Sequence, residues 1–315
     1  MTTVDVRGLY EEFPFPYGGN HSDLLGTYIF PNVPTSPKLV LDAGCGTGNL
    51  AVEMAQHFSS ARLTGLDFSN ASLARARQLR DASNVKNLEF QHQDLMEPIA
   101  SPAADQRFDL AFSIGVLMVT PDPVRCATNL RRVIADDGQF VILLYGKHGR
   151  IEIELERDLV DHLRQTTHKS NRELLALHRQ ITREPDLQHN RFRKMPPMTP
   201  RSMWGLVRNR LRHRAEQSVS EQELSAGEAD QYIHPLVHNW TSKEWVRAIE
   251  SAGFRLDRFF YAPNANGWCI PRDPLSYVTS PSLRAILGAM NPVDQYEAFD
   301  LIFRPMLHVI AFRPV

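Results

Sequence analysis

The sequence predicts an α/β fold built on a doubly wound, mainly parallel sheet, and three observations carry that prediction. Strand-like and helix-like patterns alternate from Lys38 to Tyr145 and resume after Ser242. Short apolar runs such as Phe108–Ser113 and Gln139–Tyr145 suit strands covered on both faces. An apolar strand also runs straight into a glycine-rich turn, Asp42-Ala43-Gly44-Cys45-Gly46-Thr47-Gly48, and a helical pattern follows it. Strands joined in this way by helices place helical layers on both faces of one sheet.

The elements follow in order. Residues 1–37 form a lead-in that closes in F-P-N-V-P-T-S-P, where repeated proline excludes a regular element. Lys38–Ala43 reads as a strand, and Asn49–Phe58 as a helix with Leu50, Met54 and Phe58 at a spacing of four. Arg62–Asp67 is a strand, and Ser69 has the chemistry to cap the helix that runs to about Leu79. Leu88–Gln93 is a strand ending at Asp94, and Phe108–Ser113 is a buried-type strand. Pro123–Ile134 reads as a helix stopped at Asp137-Gly138, and Gln139–Tyr145 as another buried strand. Ser242–Ala252 is a helix, residues 254–262 a strand, and M-L-H-V-I-A-F-R a final strand.

Two insertions interrupt this alternation. In residues 147–240, Ile151, Leu155, Leu159 and Leu163 repeat every four residues, as do Leu174, Leu177 and Ile181 at similar spacing. Two amphipathic helices follow from that spacing. Residues 262–298 form a smaller insertion rich in Pro, Asn and Gly. The expected division is a leader over 1–37, a cofactor-binding core over 38–146, a helical cap over 147–240 and the rest of the core over 241–315. Insertions above the carboxyl ends of strands are where such a sheet builds its substrate pocket.

Composition narrows the function. The 315 residues are 43% hydrophobic and 23% charged, as in a globular protein that buries a large core. A formal net charge of −1 gives no global field to recruit nucleic acid or membrane. The three cysteines, Cys45, Cys126 and Cys269, are far apart and suggest neither a disulfide framework nor a zinc site. No apolar run reaches spanning length and the first residues lack an apolar core, so the expectation is a soluble, cytoplasmic enzyme.

The glycine turn is the most informative feature. Glycines at alternate positions allow a sharp strand-to-helix bend and leave backbone N–H groups open to a ligand. Asp67 lies nineteen residues beyond Gly48, at the end of the next strand, about where an acid meets a ribose diol. The residues therefore indicate a nucleoside cofactor. A dinucleotide fingerprint counted from Gly44 would place its third glycine at position 49, which is Asn49.

The register D-x-G-x-G-x-G resembles the first motif of class I S-adenosylmethionine-dependent methyltransferases, over residues 38 to 145. The resemblance implies a Rossmann-like sheet of seven strands with the last antiparallel. It also implies S-adenosyl-L-methionine as cofactor and S-adenosyl-L-homocysteine as product. On this reading Gly44, Cys45, Gly46 and Gly48 shape the turn, and a helix end meets the cofactor carboxylate. Asp42 and the carbonyls of Ser113 and Ile114 face its ammonium. Asp67 takes the ribose and Phe68 packs on adenine, with Asp94 and Leu95 on the adenine amino group and ring edge. Asp67 also reads as a strand-end acid capping the Ser69 helix, and Asp94 as an ordinary loop acid. The chain lacks the N/D-P-P-Y/F and Pro-Cys motifs that the family uses on planar amides or amidines and on cytosine carbon.

The acceptor side is less defined. Y-E-E-F-P-F-P-Y-G-G, residues 10–19, resembles a Tyr/Pro-rich leader in a bacterial subset with large insertions. It reads as a lid in which Tyr10 and Tyr17 shield the sulfonium and Phe13 lines the pocket, or as a staple on the domain surface. Tyr145, Tyr232 and Trp240 are further candidates for the acceptor pocket. His148, His234 and His238 are candidate general bases, because imidazole titrates near neutral pH. H-P-L-V-H lacks the zincin glutamate, so no metal site is expected. From Arg191 to Arg214 there are eight Lys or Arg and no acid, with Met203, Trp204, Val207 and Leu211 on one helical face. That stretch reads as a solvated helix, an anionic-substrate clamp or a nucleic-acid or membrane contact. The expected activity is methyl transfer to an O or N atom of a small, partly apolar molecule. The alternatives are a tRNA- or protein-directed methyltransferase and a cofactor-binding protein with another role; oligomeric state is left open.

Overall fold

The computed structural model describes residues 6–16, 25–101, 106–183, 226–263 and 267–315. The described chain divides into two compact units, Met1–Glu154 with His234–Val315, and Leu155–Ile233.

The larger unit holds a seven-stranded sheet in the order β3-β2-β1-β4-β5-β7-β6. Its strands are β1 (Leu39–Ala43), β2 (Arg62–Asp67), β3 (Leu88–His92), β4 (Phe108–Ile114), β5 (Ile134–Tyr145), β6 (Phe254–Phe259) and β7 (Leu307–Pro314). β1 to β5 pair in parallel, and β7 runs antiparallel between β5 and β6. The alternation of side chains splits the apolar residues between two cores. Leu41, Phe140, Ile142, Ile310 and Phe312 face one core, and Val40, Val141, Leu143, Val309 and Ala311 face the other.

Helices cover both faces. α1 (Val6–Glu12) belongs to the leader, and α2 (Asn49–His57) and α3 (Asn70–Ala82) follow β1 and β2. α2 and α3 fill the second core with Met54, Leu73 and Ala76. α4 (Pro123–Val133) follows β4, and α5 (Ile151–Thr167) and α6 (Asn171–Arg183) follow β5. α7 (Ser242–Ser251), α8 (Pro281–Gly288) and α9 (Pro292–Phe303) complete the set among the described residues. Leu130 of α4, Trp245 and Ile249 of α7, and Tyr296 and Phe299 of α9 fill the first core. Caps explain several starts. Ser69 accepts from the Ser72 N–H ahead of α3, and Thr241 with Glu244 makes a reciprocal capping box ahead of α7.

Two expectations need correction. The helix expected over Pro123–Ile134 ends at Val133, and no turn at Asp137-Gly138 stops it. β5 already begins at Ile134, which pairs with Phe108, and the register then shifts so that Leu110 meets Gln139. Asp136 to Gly138 are the residues absorbed by that bulge. Arg107 and Arg131 both reach Asp136, at 3.2 and 3.0 Å. The second correction concerns residues 262–298, expected to be an insertion that interrupts the core. Pro281 and Pro292 instead start α8 and α9, behind the caps Ser280 and Asn291. α9 is part of the core: Tyr296 stacks on Phe259 at 3.8 Å, and Glu297 accepts from the Ser242 hydroxyl at 2.7 Å.

The smaller unit contains α6 and most of α5, both helical as expected, but Ile151 and Leu155 of the first expected stripe are exposed and the buried residues of α5 are Arg157 and Val160. His178 meets Glu156 at 3.0 Å and packs at a tilt against Tyr232 at 4.2 Å, and Arg179 pairs with Glu228 at 2.6 Å. The basic stretch Arg191–Arg214, with Met203, Trp204, Val207 and Leu211, lies outside the described residues, as does Tyr17.

Candidate functional site

At the carboxyl ends of β1 to β5 the larger unit encloses a cavity of about 1090 Å³. That is the switch-point position where open α/β sheets bind ligands. Gly44, Cys45 and Gly46 line it after β1, Asp67 and Phe68 after β2, and Gln93, Asp94, Leu95 and Met96 after β3. Ile114, Gly115 and Val116 follow β4, and Tyr145 and Leu307 come from β5 and β7.

The turn is held from beneath. The N–H groups of Gly44 and Cys45 both donate to the Leu66 carbonyl at 2.8 Å. Gly46 has φ +52° and Gly48 φ +83°, backbone that glycine alone adopts without strain. Both are also in close approach. A Cβ on Gly46 would collide with the Phe15 carbonyl oxygen, and one on Gly48 would stand 2.8 Å from Phe90 and from the Cβ of Ala76. Gly48 is the residue before α2, so the positive end of that helix faces the turn.

Asp67 sits at the centre. Its Oδ2 accepts from the Gly46 N–H at 2.8 Å, and its Oδ1 from the Ser69 N–H at 2.9 Å. It therefore braces the turn and the start of α3 together. A carboxylate has about four lone-pair sites, so acceptor capacity remains for a diol. Burial raises its pKa, and the N–H donors of Ser69, Gly46 and Phe68 pull it back.

Asp42 is buried behind the turn and its Oδ2 has no hydrogen-bond partner among the described residues. Burial, and then the charge of Asp67, raise its pKa from 3.8 to about 7. An acid raised on folding costs stability when it ionises. The cost is absent below pH 3.8, grows between there and about 7, and is complete above. An ammonium bound against Asp42 would remove that cost, and ligand affinity should then rise with pH up to about 7 and level off. Calorimetric titrations with S-adenosylhomocysteine from pH 5 to 8 check this, and Asp42→Asn should flatten the profile. Ser113, also buried, donates its hydroxyl to the Ala43 carbonyl at 3.1 Å.

The leader reaches the same cavity. Val6, Arg7, Tyr10, Phe15 and Pro16 line it. Thr47 and Asn49 both donate to the Pro16 carbonyl, the latter at 3.1 Å, and Thr47 N–H donates to Phe15 at 3.3 Å. Glu11 accepts from the Asn70 and Ala71 N–H groups at the start of α3, at 2.8 and 3.2 Å. Arg7 stands 5.6 Å from the centre of the Phe68 ring and 3.5 Å from Asp94.

Of the residues expected at the site, Gly44, Cys45, Gly46, Asp67, Phe68, Asp94, Leu95, Ile114, Tyr10 and Tyr145 meet on this cavity. Asp42, Gly48 and Ser113 support it from behind. Phe13 is buried and absent from its wall. Trp240 packs on Trp245 at 4.5 Å, and Tyr232 belongs to the smaller unit. None of the three histidines lines the cavity. His148 is in the loop after β5, and His234 is buried with its ring 5.6 Å from that of Tyr10. His238 bonds the Thr120 carbonyl at 2.9 Å, one residue behind the wall. Sequence reasoning missed Arg7, Met96, Val116, Val119, Trp268 and Cys269. Arg7 and Trp268 belong to segments without a motif, and only their folding onto the strand ends reveals them.

A family model described as a methyltransferase domain matches residues 35–204, and the chain belongs to that family. It is a Rossmann-like, S-adenosylmethionine-dependent methyltransferase by class. Syc1184_c of Synechococcus sp. is 26% identical over 321 residues, which cover 97% of this chain and 70% of the relative. The trans-aconitate 2-methyltransferase of Deinococcus radiodurans is 34% identical over 117 residues, 37% of this chain and 42% of that one. In structure the chain is similar to PKMT2 of Rickettsia typhi, solved in complex with AdoHcy, with TM-score 0.60 and 12% identity. That match covers 98% of this chain and 52% of the neighbour, and at such identity it shows the fold. No described helix is long and apolar enough to cross a membrane.

Proposed function

We propose that the protein transfers a methyl group from S-adenosylmethionine to an O or N atom of a small, partly apolar molecule in the cytoplasm. The observation that carries this reading is the two-sided cavity. One side, on β2 and β3, presents Asp67, Phe68 and Asp94, and the other presents Val116, Val119, Leu143, Tyr145, Trp268 and Leu307. Its volume of about 1090 Å³ lies at the upper edge of the roughly 300–1,000 Å³ usual for small-molecule pockets, leaving room for cofactor and acceptor together. The relatives include enzymes named for trans-aconitate and for malonyl-[acyl-carrier protein], consistent with a small or carrier-bound acceptor.

The residues present suit the cofactor. Asp67 has acceptor sites left for the ribose hydroxyls, and Phe68 offers a face to the base. Asp94 and the Leu95 N–H address the adenine edge. The positive end of α2 suits a carboxylate, and Asp42 with the Ser113 and Ile114 carbonyls suits an ammonium. When bound, S-adenosylmethionine supplies a methyl group already activated on a sulfonium. The protein's work is then alignment and exclusion of water. The leader residues Tyr10, Phe15 and Pro16 close one wall, and Tyr10 is placed to shelter a cation with its ring. Transfer of this kind proceeds without a resident base when the acceptor atom is already nucleophilic, which fits a wall without histidine.

Incubation with methyl-labelled cofactor and cell extract tests the reading. Label is expected in the small-molecule fraction. Label confined to tRNA or protein would replace it with the macromolecular reading based on Arg191–Arg214. Binding without transferred label would favour a role other than methylation.

A further inference from the structure

A charged residue stands behind the acceptor wall of the cavity: Arg150 does not itself line it but packs on Tyr145, which does. Arg150 is 7% exposed, and its guanidinium carbon lies 3.7 Å from the centre of the Tyr145 ring. Tyr145 lines the cavity next to Leu307, its partner across the β5–β7 pair. A guanidinium carries five N–H donors in a rigid fork. Among the described residues none of them meets a carboxylate or a carbonyl, and Nε is shielded without any hydrogen-bond partner. An aromatic face is a weak substitute for the water such a cation has lost.

The loop that carries Arg150 is fixed. Gly146 N–H donates to the Met306 carbonyl at 2.8 Å, and Gly149 lies against the Pro305 backbone so closely that a side chain would collide. The Arg150 carbonyl accepts from the Glu154 N–H at 3.0 Å in the first turn of α5. Between Gly146 and Ile151 the chain places Lys147, His148 and Arg150 and no acid. A desolvated cation held in a basic loop, stacked on a ring and without an ion pair among the described residues, is a site prepared for an anion.

We propose that the acceptor bears a carboxylate and that Arg150 anchors it beside the Tyr145 ring. The proposal rests on the methyl-transfer reading and names the substrate class of the same cavity. The planar fork of arginine pairs both oxygens of a carboxylate, which fixes orientation as well as position. Asp67, Phe68 and Asp94 stand on β2 and β3, across β1 and β4 from β5. The carboxylate therefore seats on the side away from the adenosine half. Arg150 is a positioning residue here: it holds the acceptor and exchanges no proton with it.

The test uses the full chain saturated with S-adenosylhomocysteine. Glutarate, benzoate and inorganic phosphate are titrated in, with glutaramide and benzamide as uncharged counterparts, and read by calorimetry and melting shift. At least one acid should bind about tenfold more tightly than its amide, the worth of one good ion pair in a partly dry site. Arg150→Met should lose that preference and Arg150→Lys should keep part of it, while both bind S-adenosylhomocysteine as the wild type does. Equal affinity for acid and amide, or no binding of either acid, would overturn the proposal and leave methyl transfer standing. Stronger binding of phosphate than of both acids would overturn the carboxylate assignment. Loss of S-adenosylhomocysteine affinity in Arg150→Met would assign the arginine to the cofactor and overturn it as well. Failure of the wild type to take up S-adenosylhomocysteine would remove the underlying reading itself.

Discussion

Gly46→Val should abolish measurable cofactor binding and lower stability by about 2–4 kcal/mol, the sum of left-handed backbone strain and a collision with fixed backbone. Gly46 has φ +52°, and its missing Cβ is replaced in space by the Phe15 carbonyl oxygen. That oxygen belongs to the leader, which Thr47 and Asn49 tie to the turn through Pro16. A side chain at 46 must therefore push the leader away or twist the turn. Either movement takes the Gly46 N–H from Asp67. Gly26→Ala is the matched control, because nothing lies within 4 Å of its Cβ position. Melting curves and calorimetry on the two variants check the expectation, and a Gly46→Val protein that still binds with wild-type affinity would show that the turn is not part of the site.

Asp67→Ala should weaken cofactor affinity by about 1–3 kcal/mol, the usual cost of a lost charge-assisted pair. The structure adds a second consequence. Removing the carboxylate strands the N–H groups of Gly46 and Ser69, both at buried positions. Apo stability should then fall by a further amount of about 1–3 kcal/mol, the desolvation cost of unpaired donors. Asp67→Asn separates the two effects, since its amide oxygen keeps one of those donors while the charge is gone. Calorimetry for the ligand and thermal melting of the apo protein read the two costs independently. An Asp67→Ala protein with unchanged affinity would refute the ribose role, whatever its melting temperature.

The double duty of Asp67 also shows what a sequence reveals and what it hides. Its position after a strand, nineteen residues beyond Gly48, is a local regularity, and both the ribose and the helix-start readings were available from it. The structure has it bracing the turn and α3 at once, with lone pairs to spare. The glycine turn was legible for the same reason: its backbone conformation is required within seven residues. The central strands were legible because β1, β4 and β5 are buried on both faces and leave short apolar runs, whereas β3 and β6 are partly exposed and carry polar residues.

Other parts depend on contacts between residues far apart in the chain. Nothing near Pro16 indicates that its carbonyl will be held by Thr47 and Asn49, more than thirty residues away. Proline disrupts a helix interior, yet at the first helical position, where Pro281 and Pro292 stand, it costs nothing. Whether a proline starts or stops a helix is decided by Ser280 and Asn291 before it and by the core that Tyr296 joins. The histidines were the least legible. An imidazole has useful chemistry wherever it lies, so spacing alone could not reveal that His148, His234 and His238 stand outside the cavity wall.

The most direct measurement is a calorimetric titration of the wild-type chain with S-adenosylhomocysteine at pH 7.5, repeated on Asp67→Ala under the same conditions. A cavity floored by the glycine turn and walled by Asp67 predicts one equivalent bound per chain, with affinity that drops in the variant. No heat and no melting shift with the wild type, or identical isotherms for the two proteins, would contradict it.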